Sequence, residues 1–556
     1  MRFHMLLLVG LAALLLEGRP DAFAQAPAAP SALTGQITSA EEGAMEGVLV
    51  SAKKDGSPIT ITVSSDRDGR FAFPSTKLEP GQYGLRIRAI GYELDGPKTA
   101  AIAANATASI DVKLRRTRNI AAQLTNAEWL ASMPGNDQQK VNLLGCVMCH
   151  TLERIVKSTH DAQGFLHTFE RMASYSSQST PLKPQLRPAV RIRPSDPADR
   201  VAQARQRFAE FVSAANLSET GNWDYQLKTF PRPTGRNTRA IITEYDLPRP
   251  TMQPHDVIVT GDGLVWFANF GEAALGMLDP RTGKVAEYPL PELKKGYPTG
   301  SLSIRADQEG NLWLGMMSQG AIARFDRKSE TFKTFSLPPE HNKDWTQVNM
   351  VRPEYAHVDG KVWLQDNGTA NIFRVDIATG KFDIYEPFKG LPDAHNPYDI
   401  MPNLENNVYF TDFSQEHIGY IDAATGKASF YKTPAPRTAP RRGTVDAQNR
   451  AWFASYRGNR IGMFDPKTQQ IKEWLAPTPW SSPYDIAVDK NGEAWTGSML
   501  TDRILRLDPK EDRFIEYMLP RSTNIRRSFV DNSTTPVTFW VGNNHGASIV
   551  KLEPLD

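Results

Sequence analysis

The chain has 556 residues, with 64 Lys plus Arg against 62 Asp plus Glu and a formal net charge of +2. That length predicts more than one hydrophobic core, because single cores rarely grow past about 250 to 300 residues. The near balance of charge leaves no global field to attract nucleic acid or an anionic membrane surface, so neither is expected as a partner, and two cysteines in all exclude a disulfide framework.

Residues 1–24 read as a secretory signal peptide, with Arg2 as a thin basic region, an apolar run from Leu6 to Leu16, and Ala22-Phe23-Ala24 as a small-residue cleavage site. The run is short and is soon followed by Glu17, Gly18 and Arg19, and no later stretch could span a bilayer. The mature chain is therefore expected in the periplasm with no membrane span. Residues 32–115 alternate apolar and polar residues in short runs punctuated by turns, as in "EGVLVSAK" and "ITITVSSDRDGRFAF", which predicts an antiparallel β-sandwich of about seven strands. "GVLVSA", "SDRDGRFAFP", "LEPGQYGLRIRAIGY" and the closing "DVKL" resemble the carboxypeptidase regulatory-like family. That resemblance implies an accessory or docking domain without catalytic residues.

Both cysteines lie in "LLGCVMCHTLER", as Cys146-Val147-Met148-Cys149-His150. Cys-x-x-Cys-His is the attachment signature of a c-type haem: the two thiols form thioethers to the vinyl groups and the adjacent His150 is placed to ligate the iron. A thioredoxin-type redox pair would want a βαβ setting that the flanks lack. A zinc site would need a fourth ligand. Helical runs surround the motif, and "DPADRVAQARQRFAEFVSAAN" carries Val201, Ala204, Phe208, Phe211 and Val212 at helical spacing after Pro197. Residues 120–220 thus read as a small α-helical cytochrome c domain with one covalent haem c. Met172 is the first candidate for the far side of the iron, with His160 and His167 behind it.

From about residue 238 to 556 the sequence repeats. An aromatic recurs at Trp266, Trp313, Trp363, Tyr409, Trp452, Trp495 and Trp540, at intervals of 43 to 50 residues. Each unit contains four β runs, so the repeats predict a seven-bladed β-propeller in a mainly β chain. The last repeat lacks its fourth strand, and "IITEYDLP" before the first repeat supplies it. The units resemble the streptogramin lyase (virginiamycin B lyase) family. In that family a histidine at the start of the last inner strand does the chemistry and glutamates hold magnesium. Here Arg526 stands at the histidine position, Asn524 at one glutamate, and Asn543 or Asn544 near the other. An arginine offers no accessible base and an asparagine is a poor ligand for a hard cation, so the resemblance implies the architecture more than the reaction.

The residues that start the inner strands are His255 and Asp256, Leu302 and Ser303, Glu354 and Tyr355, Tyr398 and Asp399, Arg441 and Arg442, Tyr484 and Asp485, and Arg526 and Arg527. Convergence of these loops at a channel mouth predicts a site for a polar ligand, with the arginines suited to an anion. Their pairing with the aspartates in a solvated rim is the competing reading. The expected function is electron transfer by a periplasmic c-type haem protein, the redox module of an oxidoreductase whose propeller binds a small polar substrate or a redox partner protein. A magnesium-dependent lyase with an attached haem domain and a non-catalytic haem-bearing binding protein are the alternatives.

Overall fold

The computed structural model describes residues 30–187, 189 and 198–556; the expected signal peptide and Pro197 lie outside them. The chain is mainly β, with a lyase-like propeller fold and an N-terminal β domain. Among the described residues no helix is long and apolar enough to cross a membrane.

Six four-stranded antiparallel sheets follow one another from Pro254 to Met518, each built in the order of the chain. A further four strands, Ile525–Asp531, Thr538–Asn543, Ser548–Pro554 and Ala240–Asp246, pair in that order, so the strand before the first repeat closes the sheet of the last. The first strand of each sheet touches that of the next, and Ile525–Asp531 returns to Pro254–Val259.

Local chemistry explains the repetition. The outer hairpins turn on an aspartate whose side chain accepts the N–H three residues later, Thr379 to Asp376 and Thr425 to Asp422, both at 2.8 Å. The residue after that takes a positive φ, supplied by Gly380 at 71° and Gly426 at 70°. Three of the inner hairpins hold a second aspartate six residues before the tryptophan. Asp307, Asp446 and Asp489 accept the indole N–H of Trp313, Trp452 and Trp495 at 2.9, 2.7 and 2.9 Å. Thr260 stands at that place before Trp266, whose Nε1 lacks a partner.

The N-terminal domain departs from the expected seven-stranded antiparallel sandwich. It has ten strands among the described residues, and Ser31–Ser39 pairs in parallel with Val112–Arg116 and with Ala108–Ser109. Strand count was underestimated because two-residue strands such as Gly43–Ala44 leave no alternation to read. Its second sheet is continuous with the propeller: Ile59–Ser64 pairs with the free edge of Ala240–Asp246, making one eight-stranded sheet. Lys53 to Asp246, Lys77 to Glu553 and Arg88 to Asp502 tie the two bodies together.

Between them lie the helices Asn126–Ser132, Asp137–Lys140, Glu153–Val156, Ala162–Ala173 and Ala198–Ser213, with the 3-10 turn Val141–Met148. Thr125 and Glu128 form a capping box at the first, and Glu128 also accepts the Phe230 N–H at 2.7 Å, binding the helix to the segment that leads into the propeller. These helices do not close a core alone. Leu143, Leu144, Val147 and Phe165 pack in one cluster with propeller residues Tyr398, Tyr456, Tyr484, Met499 and Leu500.

Candidate functional site at the channel mouth

Four of the inner strands break register where the candidate residues lie. The pairing shifts between Pro254 and Val257, Pro397 and Ile400, Pro440 and Gly443, and Ile525 and Ser528, so the pairs His255-Asp256, Tyr398-Asp399, Arg441-Arg442 and Arg526-Arg527 all sit in bulges. A bulge re-aims side chains that a regular strand would send to opposite faces. Tyr484 and Asp485 stand just before Ala487–Val488. The result is two layers.

The lower layer is a buried ion network. Asp256 meets Arg442 at 2.8 Å and Arg305 at 3.1 Å, Asp399 meets Arg352 at 2.7 Å, Asp485 meets Arg527 at 2.8 Å, and Glu354 lies 3.2 Å from Arg305 and 3.3 Å from Arg352. Four carboxylates face four guanidiniums. Arg305 and Arg352 were absent from the sequence candidates; the signal for them is an arginine inside an otherwise apolar inner strand, as in "SIRAD" and "MVRPE". Burial, with Asp399 adding, pushes Asp485 up to about 7 against the pull of Arg442. Tyr355 stands apart from this network, its ring 6.2 Å from that of His357.

The upper layer joins the propeller to the cysteine motif. Asn524 donates to the Val147 carbonyl at 3.1 Å, Arg526 donates to the Met148 carbonyl at 2.7 Å, and His545 Nε2 lies 3.2 Å from that same oxygen. Arg441 reaches Met148 Sδ at 3.6 Å and donates to Tyr398 Oη at 3.0 Å. His255 Nδ1 lies 2.7 Å from Asp256 Oδ1, and burial, helped by Arg442 and Arg526, pushes its pKa down to about 3 despite that carboxylate. Asn543 accepts the Asn524 N–H and Asn544 donates to Gln253. The asparagines at the expected metal positions are thus used within the protein.

Beneath this roof is a cavity of about 370 Å³ bounded by Leu144, Met148, Phe270, Phe413, Arg441 and Arg526. It shares Val141, Asn142, Leu144 and Arg457 with an outer groove of about 1000 Å³. Leu302 borders the cavity, whereas the Ser303 Oγ accepts the Val351 N–H of the next inner strand at 3.2 Å.

In the motif itself Cys146 and Cys149 are free and half-buried. Burial pushes the Cys146 thiol up to about 12 and raises Cys149 as well. His150 Nδ1 lies 2.8 Å from the Thr151 carbonyl, which puts the ring proton there and leaves Nε2 as the free donor atom. Two free thiols and an imidazole oriented by a backbone carbonyl are the donor set a c-type haem requires, so these residues fit that group. Met172 lies in Ala162–Ala173 and is 37% exposed. His160 and His167 are also exposed, the first against the Phe165 ring edge at 5.6 Å and the second 3.3 Å from Gln163.

Fold and site together define a mainly β protein that carries a helical segment with paired thiols on the mouth of a lyase-like propeller. Residues 294–553 match the profile of the Virginiamycin B lyase family and residues 32–115 that of the Carboxypeptidase regulatory-like domain, so the chain contains a domain like each. No curated protein matches the chain. Among solved structures, selenomethionine-substituted virginiamycin B lyase from Staphylococcus aureus is 23% identical over 56% of this chain and 98% of its own, with a TM-score of 0.48. A streptogramin B lyase is 22% identical over 58% of this chain and 100% of its own, also at 0.48. The extracellular domain of a one-component system from B. thetaiotaomicron is 18% identical over 55% of this chain and 41% of its own, at 0.43.

Proposed function

We propose that the chain is an exported c-type haem protein of electron transfer, in which Cys146 and Cys149 would carry one haem and His150 and Met172 would hold its iron. In this reading the six four-stranded sheets and the four strands closed by Ala240–Asp246 are seven blades of one ring, and the cavity at the mouth receives a polar or anionic substrate, or a group presented by a redox partner. The observation that carries it is the grip of Asn524, Arg526 and His545 on the backbone of Val147 and Met148, which ties the space between the two thiols to the wall of the cavity. The group, when bound, would supply one-electron chemistry. The residues of the chain hold the turn, orient His150 through Thr151, and line the cavity with guanidiniums and aromatic rings.

The raised thiols of Cys146 and Cys149 also favour this reading over a thioredoxin-type pair, which works through a depressed thiol. The match over residues 294–553 is what supports the alternative, a carbon–oxygen lyase. Against it, Arg526 and Asn524 occupy the corresponding positions and both are engaged with the cysteine motif.

The test is a pyridine haemochrome spectrum of protein exported in a host with cytochrome c maturation. One covalent haem per chain is expected, lost in the Cys146→Ala, Cys149→Ala double variant. A haem-free wild type from a competent host overturns the proposal.

A further inference from the structure

The cavity at the mouth is lined by Arg441, Arg457 and Arg526 and by no aspartate or glutamate. Arg442 and Arg527, the next residues along the inner strands, turn instead to Asp256 and Asp485 in the lower layer. The N–H groups of Arg441 and Arg526 meet only neutral acceptors among the described residues. Arg441 donates to Tyr398 Oη and faces the sulfurs of Met148 and Met499, and its Nε has no partner. Arg526 donates to Asn524 Oδ1 and to the Met148 carbonyl and faces the Met148 sulfur. Both side chains are shut away, the two residues being 2% and 1% exposed. A guanidinium removed from water without a counter-charge is unfavourable, so the cavity lacks an anion.

The two cations converge on one atom. Met148 Sδ lies 3.6 Å from Arg441 Nη2 and 3.8 Å from Arg526 Nη1. A thioether is a weak acceptor on an unbranched, adaptable side chain, and it holds a position that an oxyanion would fill far better. Rings cover the Arg441 guanidinium, with the Tyr484 and Tyr456 centroids 3.9 and 4.2 Å away, so its edge N–H groups are what a ligand can use. The rest of the wall is apolar or neutral. Phe270, Leu302 and Met317 pack together on it, and Asn349 and Asn396 line it with buried Oδ1 atoms that have no partner. A second carboxylate on that side would find no cation.

We propose that the cavity binds an aromatic monocarboxylate, its carboxylate between Arg441 and Arg526 in the place now held by the Met148 thioether and its ring among Phe270, Leu302 and Met317. A carboxylic acid is ionised at neutral pH, and its two oxygens suit two guanidinium edges. Thioethers and rings in the wall suit a flat aromatic body. Arg457, exposed and shared with the outer groove, meets the anion at the entrance. The proposal deepens the function above by naming a substrate class, and it rests on that reading only for the use of the cavity.

Calorimetric titration of the full-length protein with benzoate tests it. Benzoate should bind more than about tenfold tighter than benzamide, which keeps the ring and lacks the charge, and than acetate, which keeps the charge and lacks the ring. Arg526→Gln should weaken benzoate by about tenfold or more and leave benzamide unchanged. In the wild type, no binding of benzoate, equal binding of benzamide, or equal binding of inorganic phosphate overturns the proposal whether or not the variant folds. A haem also carries carboxylates, so the titration is repeated on haem-loaded wild type and on the Cys146→Ala, Cys149→Ala double variant. Benzoate should bind both; binding to the haem-free variant alone assigns Arg441 and Arg526 to the haem's own propionates and overturns the proposal. Haem content measured on the same samples keeps the two readings apart: a wild type that binds benzoate and carries no haem sinks the function and leaves the carboxylate site standing.

Discussion

His255 is fully buried beside Asp256 with its pKa pushed down to about 3. An unfolded histidine titrates near 6.5, so between those values the unfolded chain binds a proton that the folded one refuses, and stability falls as pH falls through that window. By pH 5 the loss from this one residue is about 2 kcal/mol. His255→Gln is expected to remove that part of the acid sensitivity, read as a smaller drop in urea midpoint between pH 7.5 and 5; an unchanged drop contradicts the assignment. Asp485 works in the opposite sense. Its carboxyl is pushed up to about 7 by burial, so the folded state keeps a proton that the unfolded chain has lost above about 4, and its contribution declines as pH rises toward 7. Asp485→Asn should flatten that decline in midpoints taken from pH 4 to 7. The residue types of this layer were legible in the sequence, because charged pairs recur at the start of the inner strands. Which of them are neutralised was not, since Arg442 finds Asp256 across 186 positions of chain.

Three repeats place a glycine on the third strand directly opposite a phenylalanine on the second: Gly276 with Phe267, Gly419 with Phe410, and Gly462 with Phe453. A Cβ on these glycines would lie 2.0, 1.9 and 2.1 Å from the ring's Cζ, so the ring occupies the space a side chain would need. Where the second strand carries a smaller residue, as at Leu314, the third carries Ala323. Gly419→Ala should therefore destabilise by about 1 to 3 kcal/mol through overpacking. Adding Phe410→Leu should recover part of the loss, and a double-mutant cycle in urea with no coupling would contradict the packing argument. This partnership is readable in the sequence once the period aligns the repeats. The bulges that turn both members of Arg441-Arg442 and Arg526-Arg527 inward are not, because a bulge is a property of the pair of strands rather than of either one.

In the whole molecule, the N-terminal domain covers an edge. Ala240–Asp246 would be the exposed strand of its sheet, and Ile59–Ser64 pairs with it through Ile242 to Thr62 and Glu244 to Thr60. Removing residues 30–115 should expose that edge and strip Asp246, Glu553 and Asp502 of Lys53, Lys77 and Arg88. The expected outcome is a Tm lower by about 5 °C and self-association at micromolar concentration, seen by calorimetry and sedimentation. A monomer of unchanged Tm would mean that the domain merely adjoins the propeller. The resemblance to carboxypeptidase regulatory-like domains implied an accessory or docking role, and sequence alone did not say that the surface it docks to belongs to its own chain.

The amino-acid sequence by itself determined what depends on short range: alternation of apolar residues in the strands, the turn chemistry of the hairpins, a period of 43 to 50 residues, and the pairing of Cys146 and Cys149 with His150. Only the tertiary structure decided what depends on contacts between distant segments. It brought Arg526 onto the Met148 carbonyl from 378 residues away, gave Arg442 a carboxylate, and left Arg441 beside Tyr484 without one. The physical reason is that a charge's partner and its desolvation are set by everything packed around it, and in this chain those surroundings are assembled from every quarter of the sequence.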